Sequence, residues 1–213
     1  MTLMRNEDLH AAISHKTPIN KRIFVTPLLE DAQIGPASID LRLGSEFYLL
    51  RRSREAGLDP GQDSQQKVDE LHETVKLSLG ERLWLHPGQF VLGSTFEYLR
   101  LPADVGAYVL SRSSWGRIGL LVATAIMVQP GYTGTLTLEL VNEGDSPIAL
   151  YPGLRVAQLA VHKLDKPTEK PYGAEAPKYS SPIGPQASRL AWDRAEMDRL
   201  ERLRERLTIL DER

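Results

Sequence analysis

Short runs of β-branched or alternating apolar residues follow one another through the central part of the chain, from about Ile34 to Leu164. Glycine, proline, asparagine and aspartate separate the runs at close spacing. The runs are SIDLRLGSEFYLL, ERLWL, QFVLGSTFEYLRL, GAYVLSRSS, GTLTLELVNEG, PIALYPG and RVAQLAVHKL. This succession predicts a mainly β fold, built as an antiparallel sandwich or barrel.

Helical spacing of apolar residues occurs near both ends of the chain. Residues 6–15 begin with Asn6, a suitable N-cap residue, and carry Glu7 and Asp8 in the first turn, which predicts a short helix. A longer helix is predicted from about Leu190, with apolar side chains at Met197, Leu200, Leu203, Leu207 and Leu210. That stripe either binds a partner or, as is more common, packs within its own oligomer.

The chain is expected to form one domain with additions. Residues 1–166 comprise the N-terminal helix and the β core, residues 167–189 an arm, and residues 190–213 the C-terminal helix. Proline, glycine and serine in the arm preclude long regular structure and predict that it lies over another part of the molecule. The polar stretch 52–75 is expected to be a surface excursion between strands.

Composition narrows the possible functions. The 213 residues are 41% hydrophobic, which is enough for a sizeable core, and the formal net charge of −2 offers no excess positive charge for binding a nucleic-acid polymer. The absence of cysteine excludes disulfides, thiolate catalysis and cysteine-ligated zinc sites. There is no apolar run of membrane-spanning length and no secretory signal, so we expect a cytoplasmic protein with no membrane partner.

Polar side chains are densest in the segment SRSSWGR at 111–117, which lies between two apolar runs. Arg112 offers a planar fork of donors, and Ser113 and Ser114 add hydroxyl groups, a set suited to phosphate oxygens. An isolated RSS tripeptide is more often a solvated turn, however. The segment therefore predicts a phosphate site only in a wider context.

A second candidate lies in the run GTLTLELVNEG at 134–144, whose strict alternation predicts a strand with leucines on one face. Thr135, Thr137 and Glu139 then lie on the other face. A glutamate there either faces water or lines a cleft that something else covers. The Pro-Gly-Tyr sequence at 130–132 predicts a tight turn leading into this strand.

Four segments, taken in order and spacing, resemble the dCTP deaminases of the dUTPase superfamily: PASIDLRLG at 36–44, RSSWGRIGLL at 112–121, QPGYTGTLTLEL at 129–140 and YPGLRVAQL at 151–159. The resemblance spans about Ile34 to Arg189. It implies a homotrimer of distorted β-barrel or jelly-roll subunits with active sites between subunits. Such an interface would provide the cover that Glu139 needs.

The resemblance also implies roles for individual residues. Glu139 becomes the acid/base, and Ser113 and Arg117 help to position the water and the base. In the arm, Tyr172 and Lys178 close over the triphosphate. The implied substrate-binding set is Arg112, Ser113, Ser114, Arg117, Gln129, Thr137, Leu138, Glu139, Tyr172 and Lys178.

The implied reaction is hydrolytic deamination of dCTP to dUTP and ammonia, which supplies dUMP for dTTP synthesis. A carboxylate that cycles between protonation states can make the required proton transfers. The zinc-dependent route uses a PCxxC signature that a cysteine-free chain cannot provide. We therefore expect a reaction without zinc, with Mg²⁺ bound only through the nucleotide phosphates.

Two single residues and one loop depart from the family pattern. Gln129 stands where the family usually has an aspartate. In relatives that hydrolyse dUTP, this aspartate takes part in the hydrolysis, so diphosphatase activity is less expected here. The loop with Val122, Ala123, Thr124 and Ala125 lacks the family's histidine, which leaves feedback by dTTP open. Pro182 replaces a glutamine in the arm, and the closing segment is therefore expected to bind differently.

Other functions stay open on the sequence. The enzyme alternatives are a bifunctional dCTP deaminase and dUTP diphosphatase, or a dUTPase, which pyrophosphate release would distinguish. A non-catalytic deoxynucleotide-binding regulator is the alternative from another class. The presence of Glu139 speaks against the regulator.

Overall fold

The computed structural model describes residues 2–51, 57–59, 61, 63–122, 127–174, 179, 181–189 and 193–211. The helices are α1 (Asn6–Ile13), α2 (Gln65–Glu70), α3 (Ser113–Gly116) and α4 (Arg194–Asp211), with a 3₁₀ turn at Asp31–Gln33. The strands are β1 (Thr2–Leu3), β2 (Phe24–Thr26), β3 (Ile39–Arg42), β4 (Glu46–Leu50), β5 (His72–Lys76), β6 (Leu83–Leu85), β7 (Phe90–Ser94), β8 (Tyr98–Arg100), β9 (Val105–Ser111), β10 (Leu120–Val122), β11 (Met127–Val128), β12 (Thr133–Gly134), β13 (Thr137–Asn142), β14 (Ile148–Leu150) and β15 (Arg155–Lys163). The predicted mainly β fold with a short N-terminal and a longer C-terminal helix is confirmed.

Among the described residues, the strands form four sheets. One five-stranded sheet has the order β1-β15-β9-β11, with β3 also paired to β15, and a second has the order β10-β13-β7-β4-β5. Two smaller sheets have the orders β12-β8-β2 and β14-β6. The strand β15 pairs in antiparallel fashion with both β3 and β9, so it joins the first and last segments of the predicted core.

A single apolar core forms where the inward positions of these strands meet. In β13 the inward positions Leu138 and Leu140 are fully buried, and the intervening Thr137, Glu139 and Val141 are only half-buried. This is the alternation that the sequence predicts for a strand with one apolar face. Thr135 departs from the pattern because it is buried too, under a segment of the arm.

The N-terminal helix differs in its capping from the prediction. Asn6 is the first helical residue, and Arg5 is the N-cap residue. The Asn6 side chain instead donates from Nδ2 to the carbonyl oxygens of Ile34, at 3.1 Å, and Gly35, at 3.0 Å. Asn6 therefore attaches the helix to the chain entering β3, a long-range use that local sequence signals do not reveal.

The chain divides into two compact units, Met1–Leu49 with Thr74–Gln186, and Leu50–Glu73 with Ala187–Arg213. The first unit contains the apolar core and all the strand residues except Leu50, His72 and Glu73. The predicted division at residues 166 and 189 stays a prediction.

The second unit brings together the polar excursion and the C-terminal helix. The excursion contains the helix α2, which the sequence analysis did not predict, with Ser64 as N-cap and Val68 buried. The Gln65 side chain donates to the carbonyl oxygen of Ser188 at 2.8 Å. Leu200, Leu203 and Leu207 of α4 are all more than half exposed, and none of the helices in the described residues is long and apolar enough to cross a membrane.

A buried polar network lies in the first unit behind β3. The Glu97 side chain is fully buried and accepts hydrogen bonds from the Arg42 backbone N–H at 2.8 Å and from Gln33 Nε2 at 2.8 Å. Arg42 Nη1 pairs with Glu97 at 3.2 Å, Arg42 Nη2 pairs with Glu30 at 2.7 Å, and the Arg42 guanidinium also donates to Gln33 Oε1. Burial raises the pKa of Glu97, so its charge depends on these partners.

Replacing Arg42 by methionine is expected to destabilise the protein by about 3–5 kcal/mol near neutral pH, because Glu97 would be left as a buried charge without its cation. The loss should shrink in acid, where Glu97 takes up a proton. Urea unfolding across this pH range measures it. The matched control is Arg51→Met, since the ion pair of Arg51 with Glu73 is exposed and such pairs contribute about 0–1 kcal/mol. Equal losses in the two variants would contradict the role given to Arg42.

Candidate active site

Residues 112–117 form a compact turn at the end of β9. Arg112 is the N-cap residue of α3, and Arg117 is its C-cap residue. Ser113, Ser114 and Arg117 are exposed, whereas Arg112 is half-buried. The turn thus gathers two hydroxyl groups and two guanidinium groups within six residues. This donor set is suited to an anion, as the predicted phosphate-binding role requires.

The Arg112 side chain is held by two residues that the sequence analysis did not single out. Its Nη1 donates to the Arg155 carbonyl oxygen at 3.2 Å, and its Nη2 lies 3.6 Å from Asp40 Oδ2. Trp115 Nε1 donates to the same Arg155 carbonyl at 2.8 Å. Asp40 and Arg155 both stand within the family-like segments, and a charged residue inside an otherwise apolar strand was the signal that could have identified them.

Glu139 lies on the half-buried face of β13, directly opposite Leu92 of β7. Because antiparallel partners share a face, the carboxylate lies beside an apolar side chain that is itself 8% exposed. Burial raises the pKa of the Glu139 carboxyl. Within the described part of the chain, no hydrogen bond or ion pair to this carboxylate is found. Glu139 is therefore a desolvated and unengaged acid, which suits proton transfer.

The arm folds back onto the strand that carries Glu139. The Thr135 backbone N–H donates to the Pro182 carbonyl oxygen at 2.8 Å, and the Gly184 N–H donates to Thr135 Oγ1 at 3.0 Å. The Gln186 N–H donates to Thr137 Oγ1 at 3.0 Å. The arm thus covers the part of β13 next to Glu139, and it bonds to the hydroxyl group of Thr137, a member of the predicted substrate-binding set.

Tyr172 attaches the start of the arm to the turn before β12. Its N–H donates to the Pro130 carbonyl oxygen at 2.7 Å, and its ring lies 5.6 Å from the ring of Tyr132. Its hydroxyl donates to the Tyr179 carbonyl oxygen at 2.9 Å. Gly131 permits this approach, since its φ is +87° and a Cβ atom there would lie 2.7 Å from Pro171 Cβ.

Gln129 is exposed and lines a cleft of about 430 Å³ together with Tyr172 and Lys170. Gln129 and Tyr172 both belong to the substrate-binding set that the resemblance implies, and that role stays a prediction. The Leu138 side chain is fully buried in the core, so its predicted contact with the nucleotide stays a prediction. Lys178 and the loop residues 123–126 lie outside the described residues.

A single chain does not bring the α3 turn to Glu139. The strand β10, which follows α3, pairs Leu120 with Asn142 at the far end of β13. Asn142 is three residues from Glu139, which corresponds to roughly 10 Å along a strand. Among the described residues, no hydrogen bond or ion pair joins Ser113, Ser114 or Arg117 to Glu139. The two halves of the predicted site are thus separate in one chain.

Known proteins resemble this chain over most of its length. The model of the family described as dCTP deaminase-like matches residues 5–164. A protein of Natronomonas pharaonis named dCTP deaminase is 47% identical over 166 residues, covering 77% of this chain and 84% of that relative. A protein of Dictyoglomus thermophilum named dCTP deaminase, dUMP-forming, is 48% identical over 163 residues, covering 76% of this chain and 82% of that relative.

One solved structure shares the fold with a TM-score of 0.56 and 28% identity: the 2′-deoxycytidine 5′-triphosphate deaminase from Agrobacterium tumefaciens. The match covers 74% of this chain and 45% of that chain, so this chain spans less than half the length of that structure.

Replacing Glu139 by glutamine is expected to increase stability in neutral and alkaline solution. Burial raises the pKa of Glu139 in the folded state, so the protonated form favours folding, and this contribution is lost as the pH rises through the folded pKa. The neutral amide avoids that loss. Denaturant midpoints between about pH 4 and about pH 8 should therefore show a gain for the variant that is absent in acid. Glu143→Gln, at an exposed position beyond the same strand, is the control; a variant of Glu139 that is less stable at high pH would contradict the expectation.

Proposed function

The chain belongs to the dCTP deaminase-like family, and on this basis we propose that it hydrolyses the 4-amino group of dCTP and releases ammonia. At the level of the site, the proposal rests on Glu139, a carboxylate on a half-buried strand face that accepts no hydrogen bond from any of the described residues. The substrate is a deoxynucleotide triphosphate, whose charge the donors around α3 are suited to bind.

In the proposed mechanism Glu139 moves protons between water and the cytosine ring. The carboxylate accepts a proton from the attacking water while the water oxygen bonds to C4, and it passes this proton to N3. It then takes the proton of the new C4 hydroxyl group and delivers it to the departing amino group. The C4–N bond breaks, the C4 carbonyl forms, and ammonia leaves. Burial supports this cycle because it raises the pKa of Glu139 toward the working range.

Arg112, Ser113 and Ser114 are proposed to bind the phosphates, and Ser113 and Arg117 to position water and base. Tyr172 and Lys178 are proposed to act in the arm, with Thr137, Leu138 and Gln129 beside the nucleoside. The described residues contain no group of three histidine, aspartate or glutamate side chains that could hold a metal ion. Mg²⁺ is proposed to bind through the triphosphate, where it would neutralise phosphate charge.

Assembly as a homotrimer, with active sites between subunits, is proposed from two features of the single chain. The strand that follows the α3 turn pairs with the end of β13 that lies away from Glu139. Another copy of the chain is therefore needed to complete each site. The outer face of the β9 and β11 pair also carries Tyr108, Leu110 and Met127, all more than a third exposed. A contiguous apolar sheet face of this kind is typical of a subunit interface.

The nucleotide product is proposed to be dUTP. Of the two relatives described above, one has a name that includes dUMP-forming, and the name of the other gives no product. Gln129 favours dUTP because a carboxamide cannot act as the carboxylate that dUTP hydrolysis uses in the wider family. A bifunctional enzyme that also releases pyrophosphate is the second candidate. A cytoplasmic location fits a deoxynucleotide substrate.

Purified protein incubated with dCTP and Mg²⁺ is expected to release ammonia without pyrophosphate. Glu139→Gln should lose the reaction by at least about 100-fold, since general acid–base catalysis contributes about 10²–10⁴-fold. Glu143→Gln, at an exposed position, should retain it. Pyrophosphate formed together with ammonia would identify the bifunctional enzyme, and no ammonia from any cytosine deoxynucleotide would overturn the proposed function.

Replacing Leu110 by glutamate is expected to dissociate the proposed trimer, because a charge would be buried in an apolar interface. Light scattering after gel filtration should change from three times the chain mass of 23.8 kDa to a single chain, with loss of ammonia release. Leu79→Glu is the control, since Leu79 is 80% exposed and lies outside the β9 and β11 face. A monomeric wild type with full activity would contradict the trimer.

A further inference from the structure

Two guanidinium groups share one carboxylate oxygen beside the α3 turn. Asp40 Oδ2 lies 3.4 Å from Arg155 Nη1 and 3.6 Å from Arg112 Nη2. The other oxygen of this carboxylate, Oδ1, accepts a hydrogen bond from Gln158 Nε2 at 3.0 Å. Because both arginines lie near the same oxygen atom, their guanidinium groups are close neighbours.

The strand pairing accounts for this placement. Asp40 of β3 is directly opposite Gln158 of β15, so the two side chains share a face of the sheet. A register shift in β15 between Arg155 and Ala157 occurs just before that pair. Arg155 is paired with Arg42, which is two residues from Asp40 on β3 and therefore lies on the same face of the sheet. The strand register thus makes Arg155 a diagonal neighbour of Asp40, within reach of its long side chain.

The two arginine side chains near Asp40 are more exposed to solvent than the Asp40 carboxylate is. The side chains of Arg112 and Arg155 are 31% and 34% exposed, while that of Asp40 is 11% exposed. Glu30, which lies 4.0 Å from Arg155, also pairs at 2.7 Å with Arg42 in the buried network. Two partly exposed cations are thus oriented from behind by one nearly buried carboxylate, and each retains donors for an anion.

We infer that Arg155 joins Arg112 in binding the nucleotide triphosphate, and that Asp40 is the positioning residue for both guanidinium groups. The inference rests on the proposed function, since it extends the phosphate site by one residue that the resemblance does not include. Paired guanidinium groups bind phosphate oxygens through directional, charge-assisted hydrogen bonds, which require the two groups to be oriented. A surface ion pair that binds no ligand does not require such orientation.

The first measurement uses inorganic tripolyphosphate as the probe, with binding to the full chain followed by calorimetry. Arg155→Ala is expected to weaken binding by about 10- to 100-fold, as for loss of a hydrogen bond to a charged group. Asp40→Asn keeps the side-chain shape but releases both guanidinium groups, and a smaller loss is expected, of about tenfold. Arg82→Ala, which removes an arginine that contacts Trp84 and Tyr151 instead, should bind as the wild type does.

The second measurement separates binding from turnover. With dCTP, Arg155→Ala should raise KM by a similar factor with little change in kcat, a division that a purely structural role would not produce. Arg155→Lys keeps the charge without the planar fork and guards against a folding defect in the alanine variant. It is expected to bind tripolyphosphate more weakly than the wild type does.

Folded Arg155 variants that bind tripolyphosphate as tightly as the wild type would overturn the inference. This result is distinct from failure of the proposed function, in which the wild type itself forms no ammonia from dCTP. If the wild type bound tripolyphosphate through Arg155 without releasing ammonia, the anion site would stand and the deaminase would not.

Discussion

The position of Glu139 depends on the burial of its two neighbours, Leu138 and Leu140, in the apolar core. Side chains alternate along a strand, so the two leucines can be buried only if the carboxylate faces away from the core. A slip of one residue would place Glu139 among apolar side chains and expose both leucines. Burial of each leucine is worth about 1.5–3 kcal/mol, so the register of β13 is strongly specified. The position of the proposed acid/base thus follows from packing energy.

The arrangement of cations near the α3 turn depends on a second constraint: the buried carboxylate of Glu97 needs a cation and hydrogen-bond donors beside it. Glu97 is fully buried and can stay charged only because Arg42 and Gln33 bond to it. Arg42 in turn contacts Glu30, which lies near Arg155. These contacts join the 3₁₀ turn region, β3 and β15 into one polar framework. A framework that is costly to disrupt holds its outer members in defined positions, as a phosphate site requires.

The arm is attached mainly through backbone groups. The carbonyl oxygen of Pro182 accepts from the Thr135 N–H, and proline lacks only the donor, so its presence is compatible with this contact. Pro182 also lies against Gly134, where a Cβ atom would approach its ring to 2.4 Å. The expectation that Pro182 changes how the closing segment binds stays a prediction. The arm closes on the strand of Glu139 through Thr135 and Thr137 instead of through the side chain at position 182.

By itself, the sequence determined the mainly β fold, the alternation of β13, the helices near the two ends and, through four ordered segments, the family. These features depend on local periodicity or on long motifs, both of which can be recognised in the amino-acid sequence alone. Only the tertiary structure decided that Asn6 bonds the chain before β3, that the excursion contains a helix, and that Asp40 and Arg155 flank Arg112. It also decided that Glu139 and the α3 turn lie apart in one chain. The physical reason is that ion pairs and hydrogen bonds between distant residues follow from strand register and packing, which no local pattern of residues encodes.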